Sequence, residues 1–404
     1  MGKPFQNLHS DEWLRLAGFA LGIFYVILTI WTALHVNLFT VLGGDFRALF
    51  ASARIAVTSG FSQVYNLAVQ RETQAALMAP YATAEVETIP TPFLPFFILP
   101  FTLFLPLGLS GGFILWTILN IGALALYLLQ LVGKKDRLFP GLAFLSLPVF
   151  LTLLLGQVNI WLLICVGEFL RAWEQGKRFY GGLWLGGLLM KPQTLILLIP
   201  VLFLKRRWDI LAGFAVAALG IIGISLALAR PAGITPWWGL LTRYTGQLSA
   251  TDPQAMGNFR MLGWLLSLLV SPRLAWSIAI GLSVAIASLA FWASLRRRGP
   301  EDETTSLLSL LAATCAVAWH SHIHMAAILI PPMLRQVASG QMPRSLLALW
   351  SLLPPAIYFL AIATMALLTA RGGQPLPLPG FTYPALAILG LHIYFVIWAV
   401  PKTN

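Results

Sequence analysis

Long apolar runs, nearly free of charge, recur along the chain and are separated by short polar clusters. The first covers 16–36, and others follow near 111–132, 138–154, 158–172, 180–190, 194–204, 209–228, 274–295, 304–319, 324–334, 345–368 and 383–400. Their apolar positions are continuous rather than alternating. That pattern predicts helices, which satisfy their backbone polar groups internally, and not a barrel, whose strands alternate over roughly ten residues. Two other stretches fit a crossing poorly. Residues 90–106 carry prolines at 90, 92, 95, 100 and 106, and MLGWLLSLLV (261–270) is short, so both predict re-entrant or interfacial pieces.

Composition places the chain in lipid: 404 residues, 58% hydrophobic, 10% charged, mean hydropathy +0.81. In a soluble protein a net charge of +12 would suggest a nucleic-acid partner. Here most of the basic residues stand in clusters between apolar runs, which predicts membrane anchoring and no nucleic acid. Placing Lys134-Lys135-Asp136-Arg137, Lys177-Arg178, Lys205-Arg206-Arg207 and Arg296-Arg297-Arg298 in the cytoplasm sets the parity of the runs. The expectation is an all-α integral membrane protein with about twelve crossings and both termini cytoplasmic. Residues 1–404 form a single polytopic domain, with extracytoplasmic segments at 37–110 and 229–273 containing juxtamembrane helices. In the first of these, Phe46, Leu49, Phe50 and Ala53 share a helical face with Arg47 and Arg54 beside it, suiting a helix that lies along the surface. The first apolar run is too long for a signal peptide and reads as an uncleaved span. Cys165 and Cys315 fall inside apolar runs without CxxC spacing and read as core or lipid-facing side chains. No internal repeat is visible.

Chemistry therefore belongs to the extracytoplasmic side, where the acids are Asp45, Glu72, Glu85, Glu87 and Asp252. Asp45 in VLGGDFRALF stands nearest to a span. It reads either as a helix N-cap or as a general base, and a cap also fixes a carboxylate in space. Lys191 in LLMKPQT separates two half-length apolar segments, so it sits in a recess below the surface. A lysine at membrane depth costs roughly 2.5–3.5 kcal/mol on insertion scales. It is either in a structural ion pair or a cation waiting for an anionic ligand such as a phosphate. Gln157 and Asn159 in GQVN, and Asn258 beside Arg260 in GNFRMLG, are helix caps, interfacial anchors or ligands to a polar head group. In AWHSHIHM, His320 and His324 share a helical face, whereas in an extended turn His320, His322 and His324 all alternate toward one side. Zinc ligation, a polar helix end and donation to a phosphate or sugar are the three readings. There is no HExxH or DxD pattern to supply a third zinc ligand.

Six stretches occur in order: GGDFRALFASARIAVTSGFSQVYN, PTPFLPFFILPF, LLLGQVNIWLL, GGLWLGGLLMKPQTLILL with FLKRRW after it, GNFRMLGWLL and WHSHIHMAAILIPP. Together, over roughly residues 40–335, they resemble glycosyltransferase family 87, a branch of the GT-C membrane glycosyltransferases. The resemblance implies a GT-C fold and an inverting transferase. Its donor is a polyprenyl-phosphate sugar, most often mannose, and its acceptor is a hydroxyl of a lipid or glycolipid on the extracytoplasmic side of a plasma membrane, the bacterial inner membrane. It puts the base on Asp45, the cation on Lys191, and donor phosphate or sugar contacts on Asn258 with Arg260 and on the histidine turn; the amides of Gln157 and Asn159, read above from GQVN, are added to that donor site. This chain has Ala318-Trp319 directly before His320 where one branch reads Ser-Trp-Asp-His, so the equivalent histidine stays open among three. The expected chemistry needs no cofactor and no metal: one carboxylate accepts the acceptor proton, and cations stabilise the leaving phosphate. A secondary transporter and a lipid-oligosaccharide ligase or polymerase are the rival readings.

Overall fold

The computed structural model describes residues 10–36, 38–82, 87–132, 137–246, 256–297, 299–371 and 376–401. Lys134, Lys135, Asp136, Arg298, Glu85 and Asp252 lie outside the described residues. The continuous apolar runs fold as helices: among the described residues 81% are helical and no strand occurs.

Helix α1 (Ser10–His35) covers the first run, and α2 (Gly44–Thr58) and α3 (Leu67–Met78) follow it. The proline-rich stretch is one α turn, α4 (Pro95–Ile98), continued as a 3-10 run over Leu99–Leu107. The chain turns at Gly108 (φ 68°, ψ 176°) into α5 (Gly108–Val132). Next come α6 (Leu138–Phe144) and α7 (Leu147–Leu155), bent by 46° to each other, and α8 (Asn159–Glu174). Helices α9 (Arg178–Gly186) and α10 (Leu198–Leu204) flank two 3-10 turns that meet at Lys191. Helix α11 (Trp208–Gly246) is broken at Arg230 (φ 57°, ψ 172°), just before Pro231. Then follow α12 (Phe259–Ser267), α13 (Pro272–Arg296) and α14 (Pro300–Val317). A 3-10 run over Ile323–Leu329 enters α15 (Ile330–Ala338), and α16 (Arg344–Ala370) and α17 (Thr382–Trp398) complete the chain.

Each predicted run thus coincides with a helix or a pair of helical pieces, but the lengths differ from expectation. Among the described residues five helical stretches are long and apolar enough to cross a membrane: Asp11–His35, Pro95–Leu131 (through the turn at Gly108), Trp208–Thr242, Pro272–Arg296 and Arg344–Ala370. Counting the bent α6–α7 pair makes six, against the twelve expected from charge parity. The other runs fold as pieces of 7 to 18 residues, several interrupted by 3-10 turns. At about 1.5 Å per residue these fall short of a hydrocarbon layer about 30 Å thick.

Small residues bring α9 and α11 into backbone contact. A Cβ on Gly182 would lie 2.0 Å from the Ile210 carbonyl oxygen, and one on Gly213 would lie 2.0 Å from that of Phe179. In lipid, where apolar surfaces gain little by leaving solvent, such close approach is what holds helices together. Gly182→Ala is expected to destabilise the protein by about 1–3 kcal/mol, read as a lower Tm of the detergent-solubilised chain. Gly220→Ala on α11 has open space around the added methyl and should leave Tm unchanged.

The first inter-span segment has its own aromatic core, in which Phe46, Phe101, Phe104 and Trp116 pack around one another. Two buried glutamines from α3 act as ladder partners for the chain that returns over α2. The Gln74 amide donates to the Ile89 carbonyl at 2.8 Å and accepts from the Ile89 amide at 3.0 Å, and Gln70 accepts from the Thr91 amide at 3.2 Å. Helix α2 is consequently buried on most sides instead of lying half-exposed on a surface. Arg47 is only 1% exposed, while Arg54 remains exposed. The second segment joins the same body through Trp237, whose indole donates to the Pro92 carbonyl at 3.1 Å.

At the other end of the bundle, charges pair. Glu303 at the start of α14 accepts from Lys205 at 3.0 Å and from Arg207 at 2.6 Å, and Arg297 meets Asp302 at 2.6 Å. These pairs fix the ends of α10, α11, α13 and α14; the turns before α10 and after α14 carry Lys191 and the histidines considered next.

Candidate active site

Asp45 is not the cap of α2. The N-cap is Gly43, in the left-handed region (φ 73°), and Asp45 is the second helical residue. Its place follows from how α2 is fastened to α7. The Gly43 amide donates to the Leu154 carbonyl at 2.8 Å, and the Trp116 indole donates to the Gly156 carbonyl at 3.0 Å. Gly156 (φ 72°) ends α7 where any Cβ would come within 2.6 Å of the Phe46 Cβ, so only glycine allows the two elements to meet. The next residue, Gln157, is thereby set beside Asp45 and hydrogen-bonds its side chain.

Lys191 reaches the same amide from the other side. Because it precedes Pro192, the α conformation is disfavoured there, and Lys191 adopts φ −134°, ψ 78° between two 3-10 turns. The ammonium Nζ donates to Gln157 Oε1 at 2.9 Å and to Asn159 Oδ1 at 2.9 Å. Asn159, fully buried, passes its own hydrogens to Thr152 Oγ1 at 3.3 Å and the His324 carbonyl at 3.2 Å. Thr152 also donates to the His324 carbonyl, at 3.4 Å. A polar chain therefore runs from Asp45 through Gln157, Lys191 and Asn159 to the histidine turn.

That turn leaves α14 at an extended Ala318, is closed by the Ser321 amide donating to the Ala318 carbonyl at 2.9 Å, and passes through an extended His322 into a 3-10 helix from Ile323. His324 is buried, whereas His320 and His322 are partly exposed. The rings of His322 and His324 stack, with centroids 5.4 Å apart and planes inclined by 12°. The charge of Lys191 acts on both rings, and His320 and Arg260 act on His322. Among the described residues no three His, Cys, Asp or Glu side chains converge as a metal-ligating group.

Asn258 is placed differently from a ligand-binding amide. It caps α12 by accepting from the Met261 amide at 3.2 Å, and it donates to the carbonyls of Ala318 and Ser321, both at 2.9 Å. With no exposed surface, it straps the histidine turn to α12. Arg260, 3% exposed, lies one helical step further on and approaches the Met256 sulfur at 3.7 Å.

Electrostatics distinguishes Asp45 from His322, both of which lie outside the spanning helices. Burial pushes the Asp45 carboxyl above the usual carboxylate range, opposed by the hydrogen bond from Gln157 and the charges of Lys191 and Arg47. Burial, then Lys191, His320 and Arg260, push the His322 imidazole down to about 4, so it is neutral at physiological pH. The arrangement therefore offers a partly exposed carboxylate that can take a proton, a fixed ammonium, and at His322 a neutral imidazole able to donate.

Arg47 was read from sequence as a surface cation, and its burial next to this constellation is new. It donates to the Glu87 carbonyl at 2.8 Å, while its Nε and second terminal nitrogen have no hydrogen-bond partner. The signal was present in FRALF, where an arginine stands among apolar residues on every side. Thr152 was also missed, and nothing in VFLTLLLG distinguishes it from an ordinary helical threonine.

An all-helical membrane protein with a carboxylate and a lysine sharing one amide is the class these features define. A family model, glycosyltransferase family 87, matches residues 91–320, more than half of the chain, which therefore belongs to that family and is a membrane glycosyltransferase. Gln157, Asn159, Lys191, Asn258, Arg260 and His320 fall inside the matched stretch, and Asp45, His322 and His324 fall outside it. No curated protein and no solved structure matches the chain.

Proposed function

We propose that this protein moves a hexose, mannose foremost, from a polyprenyl-phosphate donor to an acceptor hydroxyl on a lipid-linked glycan, with inversion and without a metal. The observation that carries this reading is the single amide of Gln157 joining Asp45 to Lys191. Asp45 takes the proton of the acceptor hydroxyl as its oxygen attacks the anomeric carbon from the face opposite the phosphate. The bond from that carbon to the phosphate oxygen breaks, and its electrons leave with the phosphate. Lys191, with Arg260 and a histidine of the turn, stabilises the charge that grows there. Phosphate needs no protonating acid to leave, so one carboxylate suffices. Asn258 serves this site by holding the histidine turn.

The same reading takes the bundle as a GT-C arrangement in a plasma membrane, with the short and broken helices completing twelve crossings. The constellation then faces the extracytoplasmic side and both termini face the cytoplasm. Family membership takes the chain out of the transporter class.

Membranes carrying the protein, given radiolabelled polyprenyl-phosphate-mannose, are expected to yield a labelled glycolipid at a rate unchanged by EDTA. Inhibition by EDTA that zinc or manganese restores would overturn the metal-independent step. Transfer only from a diphosphate-linked donor would overturn the donor assignment in favour of the ligase reading.

A further inference from the structure

A groove of about 1680 Å³ lies between α1, α5 and the α6–α7 pair, and Asp45, Thr152, Gln157, Asn159, Lys191 and the histidine turn are not among its lining residues. It follows α1 from Asp11 to Ile30, nearly the full thickness of a hydrocarbon layer at about 1.5 Å per residue. Its upper end, beside the Gly43–Leu154 bond, is lined by Leu42, Phe113 and Leu154 and is hydrocarbon in character. Its lower mouth is different. Arg15 from the second turn of α1, Arg137 just before α6 and Arg344 at the start of α16 all line it, and all three are exposed. Among the described lining residues the one acid is Asp11. Arg344 also lies over the Phe139 ring at 5.4 Å, which orients its guanidinium.

We infer that this groove binds an anionic phospholipid from the leaflet opposite Asp45, with its phosphate at Arg15, Arg137 and Arg344 and an acyl chain along α1. The charge pattern selects this occupant. A chain of pure hydrocarbon would match the walls but make no use of the basic mouth that Arg15, Arg137 and Arg344 line. A polyprenyl tail whose phosphate sits at Lys191 would enter from the other end and meet the same mismatch. A phosphate with an attached acyl chain suits both the mouth and the walls, because guanidinium groups engage phosphate oxygens through paired N–H donors. Basic pockets between membrane helices recognise anionic head groups in this way. Gly18 and Gly22 keep α1 thin where it faces Leu142 and Leu145, and Gly141 leaves open space in the groove wall. The inference stands whether or not the chain uses a polyprenyl-phosphate donor.

The test is native mass spectrometry of the full-length protein titrated with phosphatidylglycerol and, separately, with phosphatidylcholine. Phosphatidylglycerol should be retained at least about tenfold more tightly, and each of Arg15→Gln, Arg137→Gln and Arg344→Gln should weaken it by roughly fivefold. Gly141→Leu places a side chain in the open groove without a backbone clash and should weaken both lipids with the arginines intact. Equal retention of the two lipids, or a triple arginine variant that holds phosphatidylglycerol like the wild type, would overturn the proposal. So would displacement by polyprenyl phosphate that is indifferent to the arginines, which would give the groove to a donor tail.

Discussion

Asp45→Asn is expected to lower sugar transfer by roughly 10²–10⁴-fold while the variant inserts, folds and melts like the wild type. Asparagine keeps the shape of the side chain, and its carbonyl oxygen can still accept from Gln157, so the fastening of α2 to α7 is undisturbed. What disappears is the ability to hold the acceptor's proton. The carboxylate must be ionised to act as a base, and burial has moved its titration upward. Transfer by the wild type should therefore fall on acidification at a higher pH than an ordinary aspartate would give, about 3.9. The radiolabelled-donor assay measures both effects, and full turnover by the asparagine variant would remove Asp45 from the reaction.

Lys191→Met should cost roughly 10²–10³-fold in kcat/KM, with KM for the donor rising more than KM for the acceptor. Methionine keeps the apolar stem in the recess and removes the ammonium. Gln157 Oε1 and Asn159 Oδ1 then lose their donor, and leaving such buried acceptors unpaired destabilises the fold by about 1–3 kcal/mol. A purely structural lysine would show only that loss of stability, with unchanged constants for the folded enzyme. A second readout separates the cases further. Lys191 lowers the carboxyl of Asp45, so its removal should move the acid limb of the pH profile to higher pH.

Those two residues show what could be read in advance and what could not. Lys191 was conspicuous because an ammonium among apolar residues is costly and Pro192 breaks the helix there, both local facts. Its partners were visible only as amides in GQVN; that Gln157 would bridge to Asp45 depends on Gly156 packing against Phe46, a contact between elements distant in the chain. Helix positions were legible from unbroken apolar runs. Their lengths were not, since charge parity counts the sides of a membrane and says nothing about a 3-10 turn or the break at Arg230. Arg47 was misread because its burial comes from residues 87–94 folding back over α2, held by Gln70 and Gln74. Asn258 stood out as a polar residue, but a sequence does not reveal that both its hydrogens are already committed to Ala318 and Ser321.

The side-chain amide of Gln157 is polarised by its neighbours, nitrogen toward a carboxylate and oxygen toward an ammonium. A proton arriving on Asp45 weakens that pull, because a neutral acid accepts from the amide less strongly than a carboxylate does. The amide then keeps its oxygen on Lys191, which Asn159 also holds, while its nitrogen is bound less tightly than before. Acid and cation, though contributed by different parts of the chain, are in this way joined through one amide that senses charge.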